Sequence, residues 1–213
     1  MSDELEPLKI VLIGESGVGK TTIIAQFIDQ IFQEDLQSTS GGTFSTKTVE
    51  CSNGKLLKLE IWDTAGQERY RSVAKMFYKD ANAAILVYDI TNKFSFEELK
   101  NYWVEQVLES SPKDIILAII ANKTDLMDKE QVDEEEVRKY ANKINAFFAR
   151  TSAKTSYGVN DLFLEISKKY SGAESAKTIE DKGEIEEFKK IRKESVKLTK
   201  ETQVKTDKKK KCC

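Results

Sequence analysis

Histidine is absent from this 213-residue chain. That removes Ser-His and Cys-His nucleophilic catalysis, and histidine-based metal sites with them. Cysteine is scarce: three in all, Cys51 alone and Cys212-Cys213 as the last two residues. Adjacent cysteines make neither a disulfide framework nor a zinc site. Long apolar runs are lacking too, and none approaches the ~20 residues needed to cross a bilayer. Met1 to Leu8 has no basic stretch leading into an apolar one. No signal peptide is therefore expected, and a cytosolic, reducing setting is. Any chemistry must run on carboxylates, amides, hydroxyls, lysines and bound metal.

What is present is polar and unevenly charged. Hydrophobic residues make up 39% and charged residues 33%, which suits a soluble domain with a polar appendage. The formal charge of −2 hides an asymmetry. From Ser171 onward there are 13 basic and 9 acidic residues, or +4, so the preceding body carries −6. A positive tail on a negative body suggests a negative partner for the tail.

The stretch Gly14-Glu15-Ser16-Gly17-Val18-Gly19-Lys20-Thr21 organises the rest. It follows an apolar run (Leu8, Ile10, Val11, Leu12, Ile13) and leads into a helical pattern (Ile23, Ile24, Phe27, Ile28). Strand, glycine-rich turn, Lys-Thr and helix, in that order, are a P-loop. The glycines let successive N–H groups turn inward as an anion nest, and the helix begins at the phosphate with its positive end. Lys20 then reaches the β/γ-phosphates, and the Thr21 hydroxyl holds Mg²⁺. The alternative is a bare glycine turn. The loop specifies phosphates, not which nucleotide.

Ile31 to Thr43 reads as a loop. Phe44 to Cys51 and Leu56 to Trp62 read as strands, and Asn53-Gly54 between them signals a hairpin with a type I′ turn. A charged helical segment, Glu68 to Lys79, precedes a buried strand, Ala83 to Tyr88. A helix (Phe94 to Leu108), a strand (Ile115 to Ala121), a helix (Val132 to Ile144), a short strand (Ala146 to Thr151) and a last helix (Val159 to Lys169) follow. The expected fold is α/β of the P-loop NTPase type: a mostly parallel six-stranded sheet with one antiparallel edge strand and helices on both faces. Residues 1–170 form that domain, and 171–213 a flexible tail. Ligands on such sheets sit outside the strand carboxyl ends. The Gly14 loop, Asp63, Asn122 and Ser152 all fall just after a strand, so four polar clusters should meet at one edge.

Asp63, in Asp63-Thr64-Ala65-Gly66-Gln67, offers a carboxylate for Mg²⁺. The carboxylate of Asn122-Lys123-Thr124-Asp125 can accept two N–H bonds from guanine, a donor pair adenine lacks. Thr151-Ser152-Ala153-Lys154 can offer a backbone N–H to guanine O6. Together, in this order, these motifs resemble a small GTPase of the Ras superfamily, and specifically the Rab family, over roughly Leu8 to Lys169. The Rab-like marks are Trp62 to Tyr70, Phe77-Tyr78, Tyr88-Asp89-Ile90-Thr91-Asn92 and the Cys212-Cys213 end. Thr43 to Val49 and Ala83 to Asn92 look nearest to the endosomal Rabs.

The resemblance implies roles residue by residue. Phe32 packs against the guanine ring. Thr39 binds Mg²⁺ through its hydroxyl and the γ-phosphate through its N–H. Gly66 senses that phosphate, and Gln67 orients the attacking water. Ser16, Gly17, Val18, Gly19, Thr22, Lys123, Leu126, Ser152, Ala153 and Lys154 complete the nucleotide site. Phe44, Trp62 and Phe77 form the aromatic triad read by effectors, with ordinary core packing as the alternative. Three positions depart from the pattern: Ser40 replaces isoleucine, Asp80 replaces glycine, and Ser16 stands where Ras-type members prefer glycine.

The implied activity is slow hydrolysis of GTP to GDP, raised ~10³–10⁵-fold by a GAP because no arginine finger is evident in cis. The implied partners are a GEF, a GAP, a GDP-dissociation inhibitor or escort protein, a prenyltransferase and effectors, with the chain itself a monomer. Two geranylgeranyl groups on Cys212 and Cys213, helped by Lys208 to Lys211, imply peripheral attachment to the cytosolic face of intracellular membranes. Nucleic-acid binding is not expected from a tail without interleaved aromatics. Two other classes stay open: a nucleotide-bound scaffold that hardly hydrolyses, and an ATP-dependent P-loop kinase, disfavoured by Asn122 to Asp125.

Overall fold

In β1 (Glu6–Ile13) the buried side chains divide between two cores: Leu8, Ile10 and Leu12 join one, Val11 and Ile13 the other. Successive side chains of a strand leave opposite faces, so an all-buried strand must be covered twice. The computed structural model describes residues 5–33, 42–64 and 76–179. Leu5–Thr178 make one compact unit.

β2 (Thr43–Cys51) and β3 (Leu56–Asp63) follow helix α1 (Lys20–Asp29). Then come β4 (Ala83–Asp89), helices α2 (Lys93–Glu98) and α3 (Val104–Ser110), and β5 (Ile116–Asn122). Helix α4 (Glu134–Lys143), β6 (Phe147–Arg150), α5 (Val159–Ser171) and β7 (Ala176–Ile179) end the described chain. Sheet order is β6-β5-β4-β1-β3-β2-β7. β1 pairs in parallel with β3 and β4, β4 with β5, and β5 with β6, whereas β2 and β3 are antiparallel.

Each face has its own cover. Ile23 and Phe27 of α1 and Leu162, Phe163 and Ile166 of α5 close one core, where Phe27 and Phe163 stack at 3.9 Å. Phe96, Leu99, Trp103 and Val107 close the other with Val137 and Ala141 of α4. Asp133 caps α4 by accepting from the Glu135 N–H, and Glu134, Glu135 and Glu136 favour the positive helix end.

Four expectations change. The sheet has seven strands, not six, among the described residues, and β2 is not its edge because β7 lies outside it. Gly172 turns the chain after α5 with φ +70°. Ser52 N–H then donates to the Ser175 carbonyl, Asn53 Nδ2 to the Ser171 carbonyl, and Lys177 pairs with Glu50 at 3.1 Å. Those partners are over a hundred residues apart, so no local periodicity announces the strand.

The β2–β3 turn is not type I′. Gly54 alone has positive φ (+77°), Gly54 N–H donates to the Cys51 carbonyl, and Cys51 N–H to the Lys55 carbonyl. That is a three-residue loop with glycine as the left-handed residue. The helix expected over Phe94 to Leu108 is interrupted by one π-helical turn, Leu99–Trp103. Asp80, for its part, has φ +59°; the left-handed geometry explains why glycine suits that position, and Asp is among the few side chains that tolerate it.

Tyr88, fully buried at the end of β4, has a hydroxyl without a hydrogen-bond partner among the described residues, and burial pushes its phenol well above the ordinary value. Tyr88→Phe should stabilise the protein by about 1 kcal/mol, the cost of an unsatisfied buried polar group. Urea unfolding reads this directly, and a loss of stability would refute it.

Candidate nucleotide-binding site

The loop between β1 and α1 lies at the carboxyl ends of the parallel strands. Gly19, the N-cap of α1, supplies no side-chain cap, and no acidic residue stands in the first turn. The positive end of α1 thus has no capping side chain of the helix's own, an arrangement that suits an anion. Ser16 and Gly17 are exposed, Val18 is buried, and Thr22 Oγ1 donates to the Gly19 carbonyl at 2.8 Å.

Lys20 is 5% exposed. Its Nζ donates to the carbonyls of Gly14 (2.7 Å) and Glu15 (2.8 Å). Burial lowers its pKa to about 8, opposed by the attraction of Asp63 and Glu15. An ammonium stripped of water gains from an anion beside it.

Thr21 Oγ1 donates to Asp63 Oδ2 at 2.6 Å, and Asp63 is buried at the end of β3. A hydroxyl and a carboxylate oxygen side by side are the donor set of Mg²⁺, which takes one or two protein oxygens, water and substrate phosphate. The residues present fit that ion.

The base side is built from β5 and β6. Lys123 has φ +66°, and the chain then enters a 3₁₀ helix, Thr124–Lys129. The exposed Asp125 accepts from Ser152 Oγ at 2.6 Å, and Leu126 beside it is half-buried. Thr124 N–H and Oγ1 both donate to the Thr151 carbonyl. Ser152 N–H is taken by the Tyr157 carbonyl at 2.9 Å. Ala153 is buried and Lys154 exposed.

Asn122 joins the two halves. Its Nδ2 donates to the Val18 carbonyl at 2.9 Å, and its Oδ1 accepts from Thr151 Oγ1 at 3.0 Å. A Cβ on Gly19 would stand 2.3 Å from Asn122 Nδ2, and Gly19 has φ +97°. Only glycine admits both the close approach and the backbone angle.

The structure therefore brings Gly14 to Thr22, Asp63, Asn122 to Leu126 and Ser152 to Lys154 to one end of the sheet. Phe32 is half-buried against the α1 core. Thr39, Ser40, Gly66, Gln67, Lys208 to Lys211, Cys212 and Cys213 lie outside the described residues. Phe44, Trp62 and Phe77 make a row, with ring centroids 4.9 and 5.6 Å apart. Phe44 is 48% exposed while Trp62 and Phe77 are half-buried.

Two contributors escaped the sequence reading. Asp89 Oδ2 pairs with Lys123 Nζ at 2.7 Å while its Oδ1 accepts from Thr91 N–H and Oγ1. It was visible as one more polar residue at a strand end. Arg150 grips both oxygens of Glu130 at 3.1 Å and also bonds Glu134, bracing the base loop from β6. Only the fold brings these partners together.

Residues 9–172 match the Ras family, and the chain belongs to that family. Ras-related protein Rab-22A of Homo sapiens is 46% identical over 165 residues, covering 78% of this chain and 84% of the relative. The Canis lupus familiaris protein of the same name is 44% identical over 171 residues, covering 80% and 87%. That of Mus musculus is 46% identical over 165 residues, with 78% and 84% covered. The type is thus Rab: a GTP-binding switch of vesicle traffic that hydrolyses GTP to GDP, in agreement with the expected likeness to the endosomal Rabs.

Asp125→Asn should move base preference from guanine to xanthine nucleotides, with GTP affinity down ~10²-fold or more. Retained guanine selectivity in a competition assay would contradict the base assignment. Hydrogen bonds from Arg150 and then Arg138 hold the Glu134 carboxyl below its ordinary value of 4.5. A carboxyl favoured as the anion in the folded state adds stability above the unfolded value and loses it as pH falls through the folded one. Glu134→Gln should therefore lower the melting temperature at neutral pH and flatten its decline below about pH 4.5; a decline as steep as wild type would contradict this.

Proposed function

We propose that this chain clasps one guanine nucleotide with Mg²⁺ across the carboxyl ends of β1, β3, β5 and β6, and that the γ-phosphate sets which effectors it recruits. The observation that carries the reading is the Asn122–Val18 bond, which fastens the base-reading loop to the phosphate loop. Phosphate and base recognition then act as one unit.

Lys20 and the N–H groups at the start of α1 neutralise the phosphates, while Thr21, Thr39 and Asp63 hold the metal. Bound Mg²⁺ supplies positive charge against the β- and γ-phosphate oxygens. Phosphoryl transfer to water has a loose transition state, so the protein's work is positioning and charge stabilisation. Gln67 orients the water. Thr39 and Gly66 bond the γ-phosphate and lose that partner on hydrolysis, which releases the segments that carry them. Phe32 covers the guanine ring, and Asp125, held by Ser152, reads its N–H edge.

The Phe44–Trp62–Phe77 row, apolar and partly exposed, is the surface effectors read. A GEF, a GAP and a GDP-dissociation inhibitor or escort protein govern the cycle of a monomeric chain. A prenyltransferase modifies Cys212 and Cys213. Two lipid chains make a stable anchor where one is marginal, and Lys208 to Lys211 add attraction to anionic lipid. The chain then works on the cytosolic face of endosomal membranes.

Single-turnover hydrolysis of bound GTP, with and without a Rab GAP domain, tests the cycle. Wild type should hydrolyse slowly alone and ~10³-fold or more faster with the GAP, and Gln67→Leu should abolish the stimulation. Unchanged stimulated turnover in Gln67→Leu would overturn the role of Gln67. A wild-type chain that keeps its GTP in both conditions would point to a nucleotide-bound scaffold.

A further inference from the structure

The phosphate loop is gripped from three directions. Lys20 holds the Gly14 and Glu15 carbonyls from within, and Asn122 holds the Val18 carbonyl from β5. The third grip comes from the helical layer: the indole Nε1–H of Trp103 donates to Glu15 Oε1 at 3.1 Å across 88 residues. Trp103 is wholly buried in the core that covers β4 and β5. Glu15, half-buried, is the residue whose own carbonyl receives Lys20.

A backbone irregularity adjoins that bond. Trp103 ends the π-helical turn, which Val104 N–H closes onto the Leu99 carbonyl, five residues back. One extra residue in a helical turn rotates everything after it by about 100°. Such turns are rare and are frequently found at functional sites. Here the turn stands where the helix touches the phosphate loop.

The charge of Glu15 makes the contact consequential. Its carboxylate is close enough to Lys20 to favour the ammonium electrostatically, and it is an anion in a loop built for anions. Where that carboxylate sits decides how much it opposes bound phosphate. A donor fixed in a packed core keeps it in one place.

On the nucleotide reading of this loop, we propose that Trp103 is a positioning residue: through Glu15 it holds the phosphate loop in its binding shape and slows release of guanine nucleotide. Trp103→Phe keeps an aromatic ring in the core and removes the donor together with some buried volume. Glu15→Leu removes the acceptor from the loop side, and Glu15→Gln keeps an amide oxygen there. Release of a fluorescent GDP analogue from the full chain, in Mg²⁺ at fixed salt, is the measurement.

Trp103→Phe and Glu15→Leu should each speed release roughly ten-fold, the worth of one hydrogen bond to a charged group. The double variant should release no faster than either single one, and Glu15→Gln, which keeps an acceptor for the indole but not the charge, should release more slowly than Glu15→Leu. In a Trp62→Phe background Trp103 is the chain's remaining indole, and its emission should change when nucleotide leaves. Wild-type release rates in both Trp103→Phe and Glu15→Leu, or rates that simply multiply in the double variant, would overturn the proposal. Should Trp103→Phe fail to fold, the contrast of Glu15→Leu with Glu15→Gln decides alone. A chain that retains no GDP analogue in wild-type form would instead refute the nucleotide reading, an outcome separate from these.

Discussion

One amide sets the geometry of this site. Asn122 stands at the end of β5, almost fully buried, and spends Nδ2 on the Val18 carbonyl and Oδ1 on the Thr151 hydroxyl. Three segments that follow three different strands are thereby locked at one spacing. Gly19 is part of the same constraint, because its bare α-carbon leaves room for the amide. The parallel order β6-β5-β4-β1 explains why the three can meet: strands running the same way deliver their polar turns to the same end.

The phosphate loop gathers positive charge around Lys20 and the start of α1. Lys20 is buried against carbonyl dipoles, and α1 begins without a side-chain cap. Hydrogen bonds to Gly14 and Glu15 replace some of the water the ammonium has lost, but dipoles neutralise less than an anion does. A ligand that binds this folded loop adds to the stability of the chain to an extent set by its affinity and concentration. The neighbouring Thr21–Asp63 pair follows the same logic with opposite sign, offering oxygens to a cation.

Much of this was legible in the residues. Gly14 to Thr21 sits between a strand and a helix with the right period on each side, and each carboxyl-end cluster follows an apolar run. Local pattern suffices there because turn chemistry and strand burial are both local. The pattern failed where long-range pairing decided the outcome. β7 is held by Ser52, Asn53 and Glu50, far away in sequence. The loop at Gly54 took one more residue than Asn-Gly suggested, since Ser52 and Asn53 stay at negative φ. The π-helical turn has no periodic signature of its own, and the partners of Asp89, Trp103 and Arg150 become visible only once β4, α2, α3 and β6 are side by side.

The added strand has a further consequence. A sheet edge left bare is an adhesive seam, a row of unpaired N–H and C=O groups that another chain can zip onto. By lying along β2, the four residues Ala176–Ile179 move that seam off the hairpin that bears Phe44. A shortened chain ending with α5 would keep both cores but bare the β2 edge, and on a crowded surface such molecules would tend to stick to one another edge to edge.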